Sequence, residues 1–326
     1  MTLMGAKSVG KTTCHETRLL IVGLGLIGGS LAAALRVSGF QGHIVACDPD
    51  EGEIARGIEM GLIDSGGTHL AEQVNDATMV VLAVPVLAME SVMAALADAL
   101  PTAAANVVIT DVGSTKATIR ACAQRVFGQV PTNMVLGHPI AGSEKSGVAA
   151  ANPRLYVDHK VILTPEPNVE PNALQRVRNL WQACGAEVLE MDVERHDHVL
   201  ARTSHLPHLL AFSLVDTLAR QDERLDIFRY AAGGFRDFTR IAGSDPVMWR
   251  DIFIANKQAV LASLDDFEVG LARLRQAVET GDSDGLIATF DRASHARHYF
   301  DSLLNKTSYQ AEYHMQPQGK VTYRVQ

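Results

Sequence analysis

Four apolar residues, Leu19-Leu20-Ile21-Val22, lead directly into Gly23-Leu24-Gly25-Leu26-Ile27-Gly28. The spacing G-x-G-x-x-G between a strand pattern and a helix pattern requires a tight turn that feeds a crossover helix. Gly23 permits the turn, Gly25 lets backbone approach a pyrophosphate, and Gly28 lets helix and strand pack closely. The helix that opens at Leu26 and Ile27 offers free N–H groups and a positive dipole end to phosphate. Asp48 follows about 20 residues after Gly28, at the end of the next strand pattern. A carboxylate there accepts hydrogen bonds from ribose hydroxyls and repels a 2′-phosphate, so the expected cofactor is NAD rather than NADP.

Short apolar runs recur through the first half. They predict strands over Arg18–Gly23, His43–Cys47, Met79–Ala83, Val107–Thr110, Met134–Gly137 and Val161–Thr164, with an edge strand over Val188–Met191. Helix patterns lie between them, including Leu26–Val37 and Glu51–Met60. Alternating strands and helices imply crossover units and a mostly parallel sheet.

The pattern changes at Asp192, after which strand signals almost vanish as far as Leu304. A long helix is expected over Glu194–Arg220, kinked by Pro207. Another starts at Ser244-Asp245-Pro246, a capping residue followed by a proline that the first turn tolerates. Its apolar residues Trp249, Phe253, Val260, Leu264, Phe267, Leu271, Leu274 and Val278 form one face, as far as Gly281-Asp282-Ser283, where a last helix begins. Such a stripe implies helix-on-helix packing and a subunit interface. The expected architecture is an α/β Rossmann-type nucleotide-binding domain (18–191) followed by an all-α substrate and dimerisation domain (192–304). A flexible arm (1–17) precedes them and a polar tail or linker (305–326) follows.

The length of 326 residues suits two domains, each with its own core. A net charge of −8 argues against non-specific nucleic-acid binding as the main role. Cys14, Cys47, Cys122 and Cys184 are widely spaced and form no C-x-x-C pair, which points to a reducing, cytoplasmic compartment. No apolar run approaches the roughly 20 residues of a membrane span, and no signal-peptide h-region is visible. Gly5–Thr12 fits the phosphate-loop pattern G-x-x-x-x-G-K-[ST], but no strand delivers it and no helix has room to follow, so it reads as a chance match.

Several segments after later strands sit where ligands bind in such sheets, at the carboxyl edge. Val84-Pro85 follows the third strand, Asp111-Val112-Gly113-Ser114-Thr115-Lys116 the fourth, and Gly137-His138-Pro139-Ile140-Ala141-Gly142-Ser143-Glu144-Lys145-Ser146-Gly147 the fifth. His138 is placed to take a proton from an alcohol as hydride leaves, with Ser114 bonding that histidine or the same hydroxyl. By position alone, His138 equally fits a histidine satisfied by backbone. In the helical half, Ser204 and His208 are one turn apart, as are Arg236 and Arg240. Two guanidiniums on one face can grip a carboxylate, or they can be a solvated surface pair. His196 and His198 join these histidines without a completing carboxylate or cysteine set, so no metal site is expected.

Taken together, Gly23–Ser30, Asp111–Lys116, Gly137–Gly147, Ser204-His205-Leu206-Pro207-His208, Gly234-Phe235-Arg236-Asp237-Phe238-Thr239-Arg240 and Ser244–Trp249 resemble the prephenate/arogenate (cyclohexadienyl) dehydrogenase family of tyrosine biosynthesis. The resemblance runs from about Arg18 to Phe300. It implies NAD-dependent oxidative decarboxylation of prephenate to 4-hydroxyphenylpyruvate, or of arogenate to tyrosine, by a homodimer formed through the helical domain. The family's catalytic histidine falls on His138 and its serine partner on Ser114. The substrate-binding arginine falls on Arg240, with Arg236 at a position that is often lysine. Ser143 and Glu144 fall where relatives line and gate the pocket, and Ser204, His205 and His208 fall near the substrate. The tail resembles the junction at which some bacterial relatives continue into a shikimate-pathway synthase, which implies a longer fusion. A β-hydroxyacid dehydrogenase shares the architecture, but it uses a catalytic lysine and fits the Gly137–Gly147 block and the arginine pair poorly. A dinucleotide-sensing module would need the glycine fingerprint but neither His138 nor Arg240.

Overall fold

The computed structural model describes residues 14, 16–100, 107–143 and 145–304. Eight strands form one sheet: β1 (Arg18–Val22), β2 (His43–Cys47), β3 (Ser65–Gly67), β4 (Met79–Leu82), β5 (Val108–Asp111), β6 (Met134–Pro139), β7 (Lys160–Thr164) and β8 (Glu187–Glu190). Their order is β3-β2-β1-β4-β5-β6-β7-β8, and every pairing is parallel except β6 with β7. The predicted strands all appear, shifted by a residue or two at their ends. β3 is an addition. Its Ser-Gly-Gly sequence lacks an apolar signal because the chain passes close to β2; a Cβ on Gly66 would lie 2.6 Å from the Ala46 carbonyl oxygen.

Side chains alternate between two apolar layers, as strand geometry requires. Leu19, Ile21, Met79 and Val81 pack on one face with α1 (Leu26–Ser38) and α6 (Pro171–Ala183). Leu20, Val22, Val80 and Leu82 pack on the other with α4 (Met89–Ala99) and α5 (Ala117–Phe127). Burial on both faces explains why these strands read as unbroken apolar runs. Between them in chain order lie α2 (Glu51–Glu59) and α3 (Leu70–Gln73). Arg176 of α6 holds the buried Glu16 carboxylate at 2.7 Å, which anchors the chain just before β1.

The helical part begins with α7 (Val193–Leu200), whose N-cap Asp192 accepts from the Arg195 amide at 2.7 Å. The long helix expected over Glu194–Arg220 is interrupted. A π-helical turn, Ala201–His205, separates α7 from α8 (Leu206–Ala219), with Pro207 just beyond it. α9 (Arg224–Arg229) and α10 (Gly233–Thr239) follow. α11 (Pro246–Ala255) is capped by Asp245, which accepts from the Met248 amide at 2.8 Å. The continuous helix expected beyond it breaks at Asn256, before α12 (Lys257–Thr280). Asn256 is buried, and its side-chain amide donates to the Asp197 carbonyl at 2.9 Å. α13 (Ser283–Leu304) ends the described chain.

By packing, the chain forms two compact units that divide between Ser263 and Leu264. The first therefore joins α7–α11 to the sheet, a grouping that helical periodicity from Asp192 onwards does not convey. Thr118 of α5 donates to the Ala255 carbonyl at 2.7 Å within it. In the second unit, Leu271, Leu274, Val278, Leu286 and Phe290 line an apolar cleft between α12 and α13. Leu271, Val278 and Phe290 are more than half exposed. Among the described residues no helix is long and apolar enough to cross a membrane. Gly5–Thr12 and the tail 305–326 lie outside the described residues.

Candidate active site

The glycine turn has the geometry its spacing predicts. Gly23 has φ +96°, and a Cβ there would lie 2.4 Å from the Ala83 carbonyl oxygen. A Cβ on Gly28 would lie 2.1 Å from the Gly23 carbonyl oxygen. Gly25 differs: a Cβ there would meet no atom within 4 Å. It is the N-cap of α1, which has no side-chain cap and no acidic residue in its first turn. Unshielded amides therefore face open space, as an anion requires. Asp48 stands beside this turn and accepts from the Leu24 amide at 2.7 Å and the Asp50 amide at 2.9 Å, one on each oxygen. Those bonds hold the carboxylate while its remaining lone pairs stay available to hydroxyl donors. Val84 packs against the Gly23 turn, and Pro85 is exposed beyond it. These residues fit a dinucleotide without a 2′-phosphate.

His138 lies near the carboxyl end of β6, half-buried. Its Nδ1 is 2.9 Å from Nε2 of His196 on α7, and the rings meet edge to face. His196 Nδ1 is in turn 2.8 Å from Asp197 Oδ1. Asp197 also accepts from the Lys116 amide at 2.7 Å and from the Ala117 amide at 2.9 Å, at the start of α5. Lys116 is fully buried; its ammonium donates to Asp111 and, at 2.5 Å, to the Gly137 carbonyl next to His138. Burial, followed by the His196, Lys116 and His205 charges, pushes His138 well below the ordinary histidine value. Burial also lowers His196, against the opposing Asp197. Burial alone would raise Asp197, but the bonds from His196 and the two amides outweigh it and hold the carboxyl below its usual range. A neutral, positioned imidazole results, as a general base requires.

The π-turn delivers the next histidines. His205 is buried, with Nδ1 3.1 Å from the Asn256 amide nitrogen. Burial takes it down to about 4, partly opposed by Asp197. His208 bonds the Ser204 carbonyl at 2.9 Å and stacks on Trp249 at 3.6 Å between centroids. Burial lowers His208, and the Arg240 guanidinium lowers it further. Charge coupling links His138 to His205, His205 to His208 and His208 to the exposed Arg240. Ser114 sits half-buried on the neighbouring loop, and among the described residues no hydrogen bond joins it to His138. Arg236 is exposed, 3.5 Å from Asp237. Ser143 is exposed and accepts from the Lys145 amide at 3.3 Å; Glu144 lies outside the described residues. Among the described residues no three metal-ligating side chains converge.

Sequence reasoning passed over Asp197, Lys116 and Asn256, and took His196 only as a candidate ligand. A signal was present. Val193, His196, Asp197 and Leu200 share one face of α7 by their three- and four-residue steps. Two polar residues on an apolar face mark a buried network.

The family profile described as "Prephenate dehydrogenase, nucleotide-binding domain" matches residues 31–190. That described as "Prephenate dehydrogenase, dimerization domain" matches 192–292. The chain is 37% identical over 282 residues to cyclohexadienyl dehydrogenase of Zymomonas mobilis, covering 86% of this chain and 94% of that protein. It is 36% identical over 281 residues to prephenate dehydrogenase of Bacillus subtilis, covering 86% and 75%. A solved structure of prephenate dehydrogenase from Aquifex aeolicus, in complex with hydroxyphenyl propionate and NAD+, superposes with TM-score 0.80 at 38% identity, covering 87% of this chain and 98% of that one. With both domains matched in order, and with relatives 36–37% identical over most of their length, the chain belongs to the prephenate dehydrogenase family of NAD-dependent dehydrogenases.

Proposed function

We propose that this enzyme oxidises prephenate, arogenate or both with NAD, releasing carbon dioxide, and that His138 is the base. The substrate is a non-aromatic ring with a carboxylate opposite a hydroxyl. Oxidation at the carbinol carbon leaves a ring that becomes aromatic on losing carbon dioxide. NAD, when bound, supplies the hydride acceptor. Gly23, Gly25, Leu26, Ile27 and Gly28 hold its pyrophosphate, Asp48 its ribose, and Val84, Pro85 and Ser114 border it at the sheet edge. His138 takes the hydroxyl proton. Arg240 binds a carboxylate, with Arg236 adding positive charge. Ser143, Glu144, Ser204, His205 and His208 surround the ring and its side chain.

One observation carries this reading: a half-buried imidazole at the carboxyl edge of the sheet, kept neutral by burial and bonded through Nδ1 to His196. The match to a dimerization domain and the exposed apolar residues of α12 and α13 support a homodimer built through the helical region. The free, buried thiols of Cys47, Cys122 and Cys184 support a reducing cytoplasm. The test is NADH formation at 340 nm with NAD and each substrate separately. Turnover of either supports the reading, and the ratio of kcat/KM values assigns the substrate. No turnover of either, with NAD bound, refutes it.

A further inference from the structure

The hydrogen-bond chain behind His138 can be followed donor by donor. Both oxygens of Asp197 accept from backbone amides, at 2.7 Å from Lys116 and 2.9 Å from Ala117, and an amide N–H can only donate. Asp197 is therefore an acceptor on both sides, and His196 Nδ1, 2.8 Å away, must bear the proton. A neutral imidazole with its proton on Nδ1 has a bare Nε2. That atom faces His138 Nδ1 at 2.9 Å, so His138 must donate from Nδ1. His138 Nε2 is left as its bare nitrogen. Among the described residues it has no protein partner.

We infer that Asp197 and His196 are positioning residues that lock His138 in the tautomer whose Nε2 is the free base. The inference rests on His138 being the base of the proposed reaction. In that reaction the substrate O–H bond breaks as an N–H bond forms at Nε2. The Nδ1 proton stays in place, shared with His196, and the Asp197 carboxylate faces the new positive charge through one ring. No proton has to leave through the interior. The start of α5 fixes the network's far end, because its first amides hold the carboxylate. Ser114 has no part in this chain, so it is free to serve the ligands.

The test needs the full chain labelled with 15N-histidine. Two-bond proton–nitrogen spectra of the imidazoles, at a pH where His138 is neutral, report which nitrogen bears the proton. The His138 signals are those lost in His138→Asn. The expected wild-type result is a proton on Nδ1. A wild-type proton on Nε2 overturns the inference whatever the activity. Asp197→Asn turns one acceptor into a donor. With its oxygen kept where the Lys116 amide and His196 both donate, the variant is expected to leave the His138 proton on Nδ1. By losing the charge that faces the imidazolium, it is expected to lower kcat by roughly 10-fold or more, with KM close to wild type, since neither residue touches substrate. An Asp197→Asn enzyme with unchanged kcat also overturns it. If that variant does not fold, the wild-type spectrum still decides the tautomer, and His196→Phe must lower kcat with KM retained. Full kcat in His138→Asn would instead remove the base role, an outcome separate from the tautomer.

Discussion

Gly25 and Gly28 belong to one motif, yet alanine should affect them in opposite ways. At Gly25 a methyl meets no atom within 4 Å, and the residue has φ −81°, which alanine adopts freely. Folding should not suffer. Restricting the unfolded chain adds up to about 1 kcal/mol of stability, or roughly 2–4 °C in Tm for a domain of this size. The methyl does, however, occupy the space in front of the α1 amides. Losing one hydrogen bond between an amide and a charged phosphate costs about 1.5–3 kcal/mol, so Kd for NAD should rise roughly 10- to 100-fold. At Gly28 the methyl lies 2.1 Å from the Gly23 carbonyl oxygen and 2.9 Å from Ile21 Cγ2. Neither backbone nor a fully buried strand residue can give way cheaply, and overpacking of this kind costs about 1–3 kcal/mol. Thermal unfolding without ligand, with NAD titrated calorimetrically, separates the two. Gly25→Ala should hold or raise Tm and weaken NAD; Gly28→Ala should lower Tm by several degrees. A Gly25→Ala protein that binds NAD as tightly as wild type would refute the assignment of this space to pyrophosphate.

Further outcomes follow from the site. His138→Asn should lower kcat by about 10²-fold or more in steady-state assays; an unchanged kcat removes the base. Arg240→Gln should raise KM for prephenate through loss of a charge-assisted contact, with kcat less affected. Lys116→Met leaves Asp111 buried without its cation and should destabilise by about 3–5 kcal/mol in chemical denaturation; a loss under 1 kcal/mol would mean the ion pair is dispensable. His205 is neutral when folded down to about pH 4, but charges near 6.5 when unfolded. Its contribution is complete above pH 6.5 and is lost as pH falls towards 4, by up to about 3 kcal/mol. Thermal unfolding across that window should show a shallower slope in His205→Gln than in wild type. The same neutral-base logic places the acid limb of kcat/KM below the ordinary histidine range.

Strands and the glycine turn were legible because their signals are local. Met79–Leu82 reads as a strand buried on both faces from four adjacent apolar residues. β3 was not legible, since close approach to β2 removes the side chains that would announce it. The break at Asn256 was hidden for a different reason. Apolar spacing continues across it, and the interruption comes from a side chain reaching the Asp197 carbonyl, far away in sequence. His138 itself could be picked from its place after β6. Its partner could not, because contact between β6 and α7 depends on how the helical half packs against the sheet. Of the partners, Ser114 is near in sequence and His196 is near in space.

The π-helical turn at Ala201–His205 has a consequence for angle rather than contact. An α-helix advances about 100° per residue, and a π-turn amounts to one residue more than an α-turn would hold. Every side chain beyond it is rotated by about that much relative to α7. Deleting a single residue within the turn would give an uninterrupted α-helix of nearly the same sequence. Such a deletion would leave His208 in nearly its present phase against Trp249 and Arg240, whereas straightening the turn with every residue kept would swing it by about a quarter of a revolution. The phase between His196 and His208 thus depends on one surplus residue being absorbed in the π-turn. A substitution that straightens the turn would re-aim that half of the pocket while leaving the contact between His138 and His196 in place.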